Sequence, residues 1–114
     1  MTSETIDHAT TATLTAVARL LTRAAGRAWA QAEAEGSRSP LHLLGLGIRI
    51  ASCQALAMLP ADADLEGDLP TQDDVAQLLR AAEELTRSIP VVAQTAGISP
   101  LVVATCDLVR ETMP

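Results

Sequence analysis

The sequence predicts an all-α fold: four main helices in an antiparallel bundle, with a long first helix, as a single domain over residues 1–114. Three observations predict it. Alanine is the commonest residue, and apolar side chains recur at three- and four-residue steps, the period of one helix face. Phenylalanine and tyrosine are absent and tryptophan occurs once, so the core must be built from Leu, Val, Ile, Ala and Met. Proline and glycine gather in 36–40, 60–70 and 90–100, and these breaks divide the chain into four helical stretches.

The first helix is expected over residues 4–35. Ser3 is placed to cap it, and Glu4 and Asp7 suit the positive end of its dipole. Leu14, Val17, Leu21, Ala24 and Ala28 form a heptad-like seam. About thirty helical residues span about 45 Å, against a radius of gyration of about 13 Å for a compact chain of this size. The helix is therefore expected to pack along a second subunit. Ser39 and Pro40 open the next helix, 40–59. It is apolar nearly all round apart from a line of His42, Gly45, Arg49 and Ser52, and is expected to be central and covered on most sides. Thr71 is expected to cap a third helix, 71–89, with Asp74 in a capping-box position and a seam of Val75, Leu78, Ala82, Leu85 and Ile89. Arg80–Glu84 and Glu83–Arg87 are spaced to pair on its wet face. A short turn at 91–96 leads to a last helix, 100–112, with Val102, Cys106, Val109 and Met113 on its buried side.

Composition excludes several chemistries. Lysine is absent, which removes Schiff-base mechanisms, and all eight cationic side chains are arginine. The missing Lys, Asn, Phe and Tyr share AT-rich codons, which points to a GC-rich bacterial genome. The net charge of −6 is uneven: residues 1–59 carry +1 and residues 60–114 carry −7. An acidic surface repels phosphate backbones and disfavours nucleic acid. No basic region precedes an apolar run at the start of the sequence, so no signal peptide is expected. Leu41–Leu59 is long enough to cross a membrane, but Arg49, His42 and Gln54 inside it make that costly. Cys53 and Cys106 lie in apolar helical patterns, as buried reduced thiols of a cytoplasmic protein would.

Two segments resemble known motifs. Val92-Ala93-Gln94-Thr95-Ala96-Gly97-Ile98-Ser99 resembles the turn of a bacterial helix-turn-helix, with a glycine for the bend and a serine to cap the recognition helix. The resemblance implies a tri-helical shape for the C-terminal part and a transcriptional regulator working through 91–110. The recognition helix would present Pro100, Leu101, Ala104, Thr105 and Asp107, without the Arg, Lys, Gln or Asn that base readout uses. Asp62, Asp64, Glu66, Asp68 and Asp73 resemble an EF-hand calcium loop, with Gly67 in the sixth place. The loop departs from that pattern in having Glu fifth, Pro70 ninth and Asp, with its shorter reach, twelfth. A solvated acidic loop accounts for the same residues.

The remaining candidates are interaction residues. Arg19, Arg23 and Arg27 make a stripe on the first helix and, with Trp29, form the expected docking face. His42 and Arg49, two turns apart on the apolar second helix, are expected to form a buried polar centre, with Cys106 from the last helix. No catalytic spacing and no cofactor motif is present, so no cofactor is expected. The sequence reads best as a non-catalytic adaptor, assembly or regulatory factor that acts through helix–helix contacts, as a homodimer or with a helical partner. The competing reading is a bundle that binds or converts a small anionic ligand around Arg49 and His42.

Overall fold

The computed structural model describes residues 8–59, 74–89 and 98–112, and among these it is all-helical: α1 His8–Glu35, α2 Leu41–Ala57, α3 Val75–Arg87 and α4 Ile98–Thr112. Its longest dimension is 52 Å, and α1, about 42 Å at 1.5 Å per residue, accounts for most of that. α1 packs on both α2 and α3, α3 packs on α4, and α4 returns to α2.

The seam expected on α1 is buried, but within the chain itself. Leu14, Val17, Leu21, Ala24 and Ala28 are fully enclosed in one core cluster with Leu44 and Ile48 of α2, Leu78 and Leu79 of α3, and Leu101 of α4. The expectation that a second subunit covers this seam is therefore overturned: α2 and α3 already occupy it. Small residues set the spacing between α1 and α2. A Cβ on Gly45 would sit 3.6 Å from the Ala28 Cβ and 3.8 Å from the Trp29 nitrogen, so a longer side chain there would force the helices apart. Farther along the pair, the Thr22 and Ser52 hydroxyls share a hydrogen bond of 2.9 Å.

α1 ends where Gly36 takes φ +107, a value open to glycine, and its N–H donates to the Ala32 carbonyl at 2.9 Å. Ser39 then opens α2: its Oγ accepts from the Leu41 N–H at 3.1 Å and donates to Glu35 at 2.7 Å, which ties the two helix ends together. α3 starts at Val75 rather than 71. Asp74 is the cap, accepting from the Gln77 N–H at 3.1 Å, and Thr71 lies outside the described residues. Glu83 and Arg87 pair at 2.8 Å, with the carboxylate largely enclosed; Arg80 and Glu84 form no ion pair.

α4 starts two residues earlier than expected, and its buried side is rotated from the expected one. Ile98, Leu101, Thr105, Leu108 and Val109 are buried, whereas Val102 and Cys106 are only half-buried and Met113 lies outside the described residues. The physical reason is Thr105, fully enclosed against Thr86 of α3. Both hydroxyls lie within reach of their own helix carbonyls, Thr86 to Glu83 at 2.7 Å and Thr105 to Val102 at 3.0 Å. Their mutual separation is 3.3 Å. Two protons serve three contacts, so the carbonyl bonds satisfy the buried oxygens and the contact between the threonines adds packing. A helix can thus bury threonine at a position where the apolar pattern alone points elsewhere.

Candidate functional site

α2 was expected to be covered on most sides, and it is covered on one. Leu44, Ile48, Ala51 and Ala55 face the core. Leu43, Leu46, Ile50, Cys53 and Ala57 form a second stripe at 3-4-3-4 steps on the opposite side, because a helix advances about 100° per residue. That stripe is open: Leu43 is 77% exposed, Leu46 and Ile50 are each 54% exposed, and Cys53 and Ala57 are exposed as well. Cys53 is therefore not a buried thiol; it and Cys106 are both free and form no disulfide.

Arg49, expected in a buried polar centre, is exposed at the edge of this stripe and makes no ion pair with any described residue. His42 is half-buried, 3.6 Å from the Glu33 carboxylate and 3.3 Å from the Ser39 carbonyl, with its ring edge-on to Trp29 at 5.3 Å. It fastens the start of α2 to the end of α1. Cys106, on α4, joins neither residue. The three-residue centre expected from the sequence is thus dispersed, because Arg49 and His42 project from the flank that solvent reaches.

The expected docking set on α1 is divided too. Trp29 is 52% exposed, as a docking residue would be. Arg27 is exposed, but it lies two positions from Trp29, about 200° around the helix. Arg19 and Arg23 are half-buried.

Between α1 and α2 runs a groove of about 690 Å³. Ala25, Trp29 and Ala30 form one wall and Leu46, Cys53 and Leu56 the other. Gly26 and Gly45 widen it, the Thr22–Ser52 hydroxyl pair lies along it, and Arg49 is its single charged lining residue. A neighbouring groove of about 520 Å³ continues along Ile50, Gln54 and Ala57, sharing Leu46, Arg49 and Cys53. Sequence reasoning missed this surface, although the 3-4-3-4 spacing on α2 was there to be read on both sides of the helix.

The acidic loop with Asp62, Asp64, Glu66, Asp68 and Asp73 lies outside the described residues, as does the turn at 91–97. Among the described residues no cluster of His, Cys, Asp or Glu could hold a metal ion. α4 exposes Pro100, Val103, Asp107 and Arg110, with Leu101 and Thr105 buried instead of presented, and its one cation lies 3.9 Å from Asp107. No described helix is long and apolar enough to cross a membrane. Compared with known protein families, curated proteins and solved structures, the chain matches none of them.

Proposed function

We propose that this chain is a non-catalytic bacterial helical protein, an antiparallel bundle with a helix-turn-helix-like C-terminal shape, that acts through helix–helix contacts as a homodimer. The observation that carries the reading is the open stripe of Leu43, Leu46, Ile50, Cys53 and Ala57. Contiguous exposed apolar side chains on a helix mark an interaction surface, and their heptad spacing suits another helix.

A second copy fits this stripe because the stripe is self-complementary. Its 3-4-3 core reads the same in both directions, so an antiparallel pairing about a two-fold axis sets Leu46 against Ile50 of the second copy and Leu43 against Cys53 of the second copy. Each layer then combines two large side chains, or a large one with a small one, and the layers fill evenly. A parallel pairing would stack Cys53 on Cys53 and Ala57 on Ala57 and leave that end thin.

Light scattering across roughly 5–200 μM tests the reading; that range spans association free energies of about −7 to −5 kcal/mol. The expected result is a mass rising from one chain to two, abolished in Ile50→Glu. A single-chain mass throughout would defeat it. The register has its own test in a Cys106→Ala background. Leu43→Cys, with Cys53 retained, should oxidise to a covalent dimer, and Leu43→Cys with Cys53→Ala should not. A covalent dimer from both variants would make the pairing parallel.

A further inference from the structure

The groove between α1 and α2 has features that helix pairing does not use. Ser52 lies on the flank of α2 that faces Thr22 and Trp29 of α1, whereas Leu43, Ile50 and Ala57 point away from α1. The volume of about 690 Å³ is that of a small-molecule site, within the roughly 300–1,000 Å³ such sites occupy. Its lining is apolar apart from two hydroxyls already bonded to each other and one guanidinium. An aliphatic body would rest against Trp29, Leu46 and Leu56. The one charge, Arg49, is solvent-accessible and carries no carboxylate partner among the described residues.

Arginine presents paired N–H donors in a plane that matches a carboxylate, and it holds its positive charge at every accessible pH. A groove with aliphatic walls and a single guanidinium is therefore complementary in shape and sign to an apolar anion. We infer that the α1–α2 groove binds an amphipathic carboxylate: an unbranched aliphatic tail along Trp29, Leu46 and Leu56, with its head group on Arg49. His42 and Cys106 take no part, since neither lines the groove. The inference does not rest on the dimer reading, because a monomer carries the complete groove; Leu46 and Cys53 belong to both the groove and the pairing stripe, so the carboxylate and a second copy compete for them.

The protein supplies its own reporter. Trp29 is the only tryptophan in a chain without tyrosine or phenylalanine, so intrinsic fluorescence comes from a residue that lines this groove. Titration with octanoate, below the concentration at which it forms micelles, should give a saturable blue shift of the emission. Acetate, which has the head without the tail, and octyltrimethylammonium, which has the tail with the opposite charge, should give no saturable change. Arg49→Gln should weaken octanoate at least tenfold with the helical circular dichroism retained, and Arg49→Lys should lie between the two. Equal responses to octanoate and to the cation, or an Arg49→Gln protein that binds as the parent does, would overturn the proposal. So would an emission that follows protein concentration rather than octanoate, since the groove would then belong to a second copy. Light scattering on the same samples keeps failure of the ligand and failure of the dimer separate.

Discussion

α1 and α2 lie side by side and draw on the same small set of residues, yet they treat their outer faces differently. α1 buries Leu14, Val17, Leu21, Ala24 and Ala28 and turns Arg27 outward. α2 buries Leu44, Ile48, Ala51 and Ala55 and turns Leu43, Leu46 and Ile50 outward. One helix has the single apolar face that a surface helix needs; the other has two. The first face of α2 is accounted for by folding, because it closes the core. The second contributes no buried contact within the described chain, so its apolar character has to be explained by something outside the fold. The difference teaches that an all-round apolar pattern states how many faces want cover, not how many the chain itself covers.

The sharpest way to break the comparison is to truncate the two isoleucines of α2 that point in opposite directions. Ile48→Ala removes a fully enclosed side chain and should lower unfolding stability by about 2–4 kcal/mol, counting both lost transfer and the cavity left behind. Ile50→Ala, at a protein concentration where the chain is monomeric, should change it by less than about 0.5 kcal/mol, as surface substitutions do. Urea titrations of both variants measure the contrast. Equal losses would mean that the outer stripe is covered within the monomer, and the docking reading would go with it.

The same two helices explain what could be read from the sequence. The number of helices, the α1 seam and the break around Gly36 and Pro40 were legible, because apolar period and Gly/Pro punctuation are local signals. The cap of α3 was displaced from Thr71 to Asp74 because both are competent cap residues three positions apart. The fate of Arg49 was illegible: an arginine in an apolar helix looks buried until the outer stripe is known to be open. The site lay in the relation between two helices, and periodicity describes each helix only by itself.

Glycines sharpen the comparison with a smaller effect. A Cβ on Gly26 of α1 would meet nothing within 4 Å. Gly26→Ala should therefore raise stability by nearly the full helix-propensity difference, up to about 1 kcal/mol, while narrowing the groove. On α2, a Cβ on Gly47 would come 3.3 Å from the Leu108 Cδ2, so Leu108 has to give way and part of that gain is lost. Thermal melts should rank Gly26→Ala above Gly47→Ala. Ser52→Ala, which breaks the hydroxyl bridge to Thr22 but leaves that exposed threonine to water, should cost about 0.5–1 kcal/mol.

The smallest expected effect is the most specific to the proposed pairing. In the antiparallel register both copies of Arg49 fall on the same flank, within a helical turn of each other. Like charges so placed and exposed to solvent oppose association by a few tenths of a kcal/mol. Added salt screens such repulsion, so raising ionic strength from roughly 0.05 to 0.5 M, where the Debye length shortens well below 10 Å, should tighten the dimer slightly. Arg49→Gln should tighten it at low salt and remove the salt trend. Sedimentation equilibrium at two ionic strengths resolves the sign. A dimer that weakens with salt would require opposite charges across the interface, and the outer stripe of α2 offers no acid to provide them.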